Sequence, residues 1–341
     1  MALRRCRYAG GMTVSTDVRT DRHPLTADGS VELAVLDRNG FDESRHVGAG
    51  VVVGADGRVL DAVGDVTASI YPRSTMKPFQ ALAIRRAGAS FSDEELVLTT
   101  ASHAGTAPHQ ALALHMLESF DHTEADLGCP PDMPFDRATA RTMAEPRRLA
   151  MNCSGKHAGM LAACRVNGWD EATYLDMAHP LQQRVRDTVE EFTRETVDLV
   201  GTDGCGAPVF PLTLTGLARG FAGVVARADA DSAALVDAVL HHPWAIDGVG
   251  RANTVTIERL QVLAKFGAEG VMVMGLPGGA AVAVKTLDGS QRAGTLAALT
   301  LLQRNGHVDA EGVADVLRAT GEQVLGGGVP VGAVRVGAGL R

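Results

Sequence analysis

The chain has 341 residues, 45% of them hydrophobic and 21% charged, which is enough to bury one large core or two smaller ones and too apolar for a disordered chain. Its 32 basic and 40 acidic side chains leave a net charge of −8 with no block of like charge; this argues against nucleic acid and membrane partners and for a small-molecule substrate. Five scattered cysteines argue against a disulfide framework, and neither an export signal nor an apolar stretch of about 18 residues occurs, so a cytoplasmic location is expected.

Residues 1–30 contain Arg4-Arg5 with no apolar run behind them and read as a disordered N-terminal extension. Residues 31–38 and 47–64 have strand character, the second broken by the turn signal Ala55-Asp56-Gly57. Helical periodicity follows at 78–86, 107–120, 154–166, 180–196, 231–241 and 255–266. The texture then reverses: 271–274 and 280–286 are strand-like, 292–303 and 311–319 helical, and 329–336 strand-like again. Strands at both ends around a helical middle predict an α/β (α+β) fold, within a catalytic unit of residues 31–341. Its single mixed sheet would come from about 31–70 and 270–341, beside a helical lobe over about 74–265. A cleft between sheet and lobe is the natural place for a site.

Only four of the 32 basic residues are lysines: Lys77, Lys156, Lys265 and Lys285. Codon bias explains the scarcity but not the positions, since lysine can shed its proton to act as a base or ligand and arginine cannot. Ser74 and Lys77 stand three apart at a predicted helix start, so a neutral Lys77 amine can take the proton of an otherwise poor serine nucleophile. Cys153 and Lys156 repeat the spacing, and Cys205 lies in the glycine-rich run Gly201-Thr202-Asp203-Gly204-Cys205-Gly206. Two thiolates and a third donor suit zinc, with His157 as a nearby spare; buried free cysteines in a small-residue helix are the structural alternative, and Cys164 reads as plain core. In Thr99-Thr100-Ala101-Ser102-His103-Ala104-Gly105 the adjacent serine and histidine suit either a proton shuttle or a simple turn.

Taken together, Arg73-Ser74-Thr75-Met76-Lys77-Pro78, Ala101-Ser102-His103-Ala104-Gly105, Asn152-Cys153-Ser154-Gly155-Lys156-His157-Ala158-Gly159-Met160, Asp203-Gly204-Cys205-Gly206 and Gly267-Ala268-Glu269-Gly270 resemble the rhizobial-type (class 3) L-asparaginases, the asparaginase II family. The likeness runs in order from about residue 31 to the C terminus. It implies a fold similar to serine β-lactamases and penicillin-binding proteins, a homodimer, and hydrolysis of L-asparagine to L-aspartate and ammonia. It also implies two serine-lysine pairs, Ser74 with Lys77 and Ser102 with Lys285, a zinc site of Cys153, Lys156 and Cys205, and Arg73, His157 and Asp203 beside the substrate. Lys265 receives no role. Met151 and Thr106 depart from the family's usual asparagine and acidic residue, which bears on substrate preference. Two rivals remain at this stage: a penicillin-recognising acyltransferase or β-lactamase-like hydrolase using the same serine-lysine chemistry, and a catalytically silent zinc-binding regulatory protein.

Overall fold

The computed structural model describes residues 22–341. Its main sheet has eight strands, all paired antiparallel. Seven run in the order Gln323–Gly326, Val329–Val336, Val31–Arg38, Phe41–Val53, Ala281–Thr286, Val271–Gly275 and Leu263–Gly267, and Val59–Val63 pairs with Phe41–Val53 off this path. Both ends of the described chain therefore build the sheet, as expected, but its C-terminal part begins at Leu263 rather than near 270. The reason is local. The helix predicted over 255–266 is Ala252–Leu260, and Gln261 in the left-handed region (φ 52°) ends it and turns the chain into a strand.

Register sorts the strands into two faces. Lys265 faces Val273, and Val273 faces Ala283, so these three and their alternate neighbours share one side. Helix Leu214–Val225 covers that side: a Cβ on Gly275 would stand 2.7 Å from Val225. The opposite face receives helix Gly294–Arg304, with Leu301 against Gly50. A second apolar cluster, including Ile84, Leu98, Met116, Leu161 and Cys164, forms the core of the helical lobe. Within it the glycines of the Cys-Ser-Gly-Lys-His-Ala-Gly run have a packing role: a Cβ on Gly155 would overlap Leu98 at 2.4 Å, and one on Gly159 would meet Thr99 at 2.8 Å. Helix Ser154–Asn167 thus lies close against helix Asp93–Thr100, whose end delivers Ser102. That helix, opened by a Ser92–Glu95 capping box, and Leu214–Val225 are additions to the sequence reading.

Residues 22–30, read from sequence as the end of a disordered extension, pack on the body instead. Arg22 donates to Asp198 at 2.7 Å and to the Thr196 carbonyl at 2.6 Å, Pro24 bridges to Ser69, and Leu25 is buried. Residues 1–21 of the expected extension lie outside the described residues. Among the described residues no helix is long and apolar enough to cross a membrane.

Candidate active site

Ser74 lies in a short 3-10 turn, Arg73–Met76, that runs directly into helix Lys77–Arg86. Arg73 adopts φ 52°, a costly conformation for a residue with a side chain, and one found where structure around a site enforces it. The strand Leu263–Gly267 presses against this turn. A Cβ on Gly267 would fall 2.6 Å from the Pro72 carbonyl and 3.3 Å from the Ser74 amide, so only glycine admits that approach. Ser74 retains 8% exposure, and its hydroxyl makes no hydrogen bond among the described residues.

Lys77 is fully buried. Its ammonium donates to the Ala101 carbonyl at 2.5 Å and to Ser102 Oγ at 3.0 Å, with the Asn152 carbonyl at 3.5 Å. The direct Ser74–Lys77 hydrogen bond anticipated from spacing is not formed, because Ala101 and Ser102 capture the amine. Lys265, wholly buried, reaches the same serine from the sheet: its Nζ lies 2.7 Å from Ser102 Oγ and 2.8 Å from the Phe266 carbonyl. Ser102 itself is fixed by its amide on the Ile246 carbonyl at 3.0 Å. Burial, and then the neighbouring Lys77 charge, push the Lys265 amine well below the ordinary lysine range, while Asp247, Cys153 and Asp203 only partly oppose them.

The expected Ser102–Lys285 pairing is therefore replaced by Ser102–Lys265. Lys285 pairs with Val271, which pairs with Gly267, so it stands two strands away from the strand bearing Lys265, a lateral distance of about 10 Å at the usual strand spacing. Its amine turns instead to the Glu269 carbonyl. The lost signal was a lysine in the apolar alternation of Leu263-Ala264-Lys265-Phe266-Gly267, hidden by extending the preceding helix to residue 266.

The thiol-rich group lies beside Asn152. Lys156 Nζ is 2.9 Å from Cys205 Sγ, and Cys153 Sγ donates to Asn152 Oδ1 at 3.2 Å. The neighbouring Cys153 thiol, then the Lys156 ammonium, favour the thiolate form of Cys205 against burial, while Cys205 and burial drive the Cys153 thiol upward. Burial opposes the Lys156 ammonium, but the Cys205 thiolate and Asp203 outweigh it and raise its pKa. His157 is pushed toward its neutral form by burial; its Nδ1 meets the Tyr174 hydroxyl at 2.7 Å and its Nε2 has no partner. The Tyr174 hydroxyl also accepts from the Gly128 amide at 2.7 Å.

No three His, Cys, Asp or Glu side chains converge as a metal set among the described residues. The residues expected to hold zinc form a mixed donor set instead: two neighbouring thiols, one favoured as thiolate, an amine in contact, and a bare imidazole nitrogen. That chemistry fits zinc. All four described cysteines are free and buried, with Cys164 in the lobe core as expected.

Arg73 pairs with Asp203 at 2.6 Å, so the two predicted substrate-side residues meet at the rim. His103 turns away from the lysines: its Nδ1 accepts from the Gly105 amide at 3.1 Å, which leaves Nε2 to donate to Ser154 Oγ at 2.9 Å. Burial, His109 and Lys77 together keep it neutral. This is a structural role.

The family profile for L-asparaginase II matches residues 34–336. The chain belongs to that family. An asparaginase-like amidohydrolase acting on a small molecule follows from the membership. No curated protein matches the sequence significantly. Among solved structures, the chain is similar to a β-lactamase from Mycobacterium bovis, with 18% identity, TM-score 0.43 and coverage of 76% of this chain and 95% of that one. It is also similar to Mglu in its glutamate form, with 13% identity, TM-score 0.45 and coverage of 76% and 61% respectively.

Proposed function

We propose that the protein hydrolyses the side-chain amide of L-asparagine to L-aspartate and ammonia through a serine nucleophile. The family supports the reaction class. The observation that carries the finer reading is Ser102 Oγ held between two buried amines, 3.0 Å from Lys77 and 2.7 Å from Lys265, with Lys77 one turn along the chain from Ser74. Two ammonium groups on one hydroxyl are costly away from water, so the neutral form of one amine is favoured there.

In this reading Lys77 hands a proton through Ser102 to the neutral Lys265 amine and, so freed, takes the Ser74 proton as Oγ attacks the amide carbon. The backbone amide of Ser74 steadies the oxyanion. The C–N bond breaks as the proton held by Lys265 returns through Ser102 to the departing nitrogen, which leaves as ammonia with Lys265 neutral again. Water then cleaves the Ser74 ester, releases L-aspartate and restores the hydroxyl. Arg73, Asp203 and His157 face the substrate. Cys153, Lys156 and Cys205 would hold zinc, which when bound would order the Cys205 loop and position substrate, since a serine nucleophile is already present. A cytoplasmic homodimer belongs to the same proposal.

Ammonia release from L-asparagine by the purified protein tests the reading directly. Turnover lost in Ser74→Ala with an unchanged melting temperature supports it. Absence of ammonia release, with hydrolysis of a penicillin in its place, would favour the β-lactamase-like alternative.

A further inference from the structure

Lys285 is left without a task once Lys265 takes its place at Ser102. The register sets it on the same sheet face as Lys265, level with Val271 and Gly267, and Gly267 is the residue that touches the Ser74 turn. Its stem is half-buried, and its amine reaches the carbonyl of Glu269 at the tip of the hairpin between Gly267 and Val271. Lys285 forms no ion pair among the described residues, although charged groups surround it. Glu269 points its carboxylate toward Gly289, where a Cβ would lie 2.8 Å from Oε2. Asp288 is engaged by His46 Nδ1 at 2.6 Å and by the Ser290 amide at 2.9 Å. Arg73, the other cation at this rim, is committed to Asp203. Burial, with Arg73, lowers the Lys285 amine from the ordinary lysine value, and Glu269 and Asp288 offset part of that.

An amino-acid amide presents two groups besides the scissile one, and its α-carboxylate needs a cation that no protein carboxylate already neutralises. We propose that Lys285 binds the α-carboxylate of the substrate, and so selects amides that carry one. This rests on the reading that Ser74 attacks an asparagine-type amide. Lysine suits the task, since a flexible four-carbon stem delivers a point charge across the Val271 strand to a ligand above Ser74.

The test compares Lys285→Met with wild type on three amides: L-asparagine, succinamate, which lacks the α-ammonium, and 3-aminopropanamide, which lacks the α-carboxylate. A charge-assisted contact predicts KM higher by about tenfold to a hundredfold for the first two, kcat changed by less than about threefold, and no change for 3-aminopropanamide. Lys285→Arg restores part of the KM loss. A fall in kcat at constant KM, or an equal loss on all three amides, overturns the proposal. A second arm does not need turnover: L-aspartate is titrated into Ser74→Ala and into Ser74→Ala/Lys285→Met. Weaker binding by a similar factor in the double variant supports Lys285 even where ammonia release fails and the Ser74 reading falls. Equal binding, or none to either variant, overturns it.

Discussion

Replacing Lys265 with methionine separates a proton-handling role at Ser102 from a packing role. Methionine fills a similar unbranched volume in a site with no solvent exposure, so the change removes the amine 2.7 Å from Ser102 Oγ without opening a large cavity. A positioned proton donor or acceptor contributes about 10²–10⁴ in rate, or about 2.7–5.4 kcal/mol of barrier, and kcat should fall by that range. Stability moves the other way. Folding holds the Lys265 amine below its unfolded value of about 10.4, so the native state binds fewer protons between the two values and wild-type stability rises with pH through that window. Lys265→Met lacks this rise and should melt a few degrees higher than wild type at neutral pH, where the wild type bears the cost of a buried amine. Steady-state ammonia release and thermal melts from pH 6 to 10 read both effects. A kcat within about threefold of wild type, in a variant that melts normally, would show that Lys265 only packs against Ser102 and would remove the proton relay.

Ser74→Ala and Lys77→Arg should each abolish turnover while leaving the far-UV circular dichroism unchanged; near-normal rate in Lys77→Arg excludes Lys77 as the base, because arginine cannot accept the proton. Activity should rise with pH through a group titrating below about 10.4, since burial and the Lys77 charge lower the Lys265 amine, and a flat profile from pH 6 to 10 contradicts that. Tyr174→Phe removes the partner of both His157 Nδ1 and the Gly128 amide, and should cost about 1–3 kcal/mol in denaturant unfolding; an unchanged midpoint would show that water replaces the hydroxyl.

Much of this architecture is legible in the sequence because period and punctuation agree. Val31–Arg38, Val271–Gly275, Ala281–Thr286 and Val329–Val336 alternate or run apolar as strands do, and helix Ser154–Asn167 begins and ends where its small-residue run does. What escaped was decided by tertiary contact. Lys265 sits in a strand that looks like the tail of a helix, since Gln261 rather than glycine or proline makes the break. The serine-lysine and cysteine-lysine spacings bring chemically matched residues to neighbouring positions, yet spacing alone did not reveal that Lys77 would turn to Ser102 rather than Ser74. Nor did it indicate which sheet lysine meets Ser102, because that depends on strand order across a sheet whose neighbours are distant in the chain.

The four lysines share a property that arginine does not provide here. Arginines and histidines supply the cations of the ion pairs among the described residues, as in Arg73–Asp203, Arg86–Glu191 and Arg292–Glu322, whereas Lys77, Lys156, Lys265 and Lys285 contact hydroxyl, carbonyl or thiol groups. A lysine kept for its ability to become neutral should not tolerate arginine even where charge is preserved, and Lys156 tests this apart from turnover. As a zinc ligand it must give up its proton, while as a mere counter-ion to the Cys205 thiolate it must keep it. Lys156→Arg should therefore bring zinc content, measured by elemental analysis of protein prepared without chelator, from one per chain to below about one tenth. Lys156→Met, which avoids the added bulk of arginine in a fully buried position, should do the same. Full zinc occupancy in both variants would remove Lys156 from the donor set, and a metal-free wild type with normal activity would remove the site altogether.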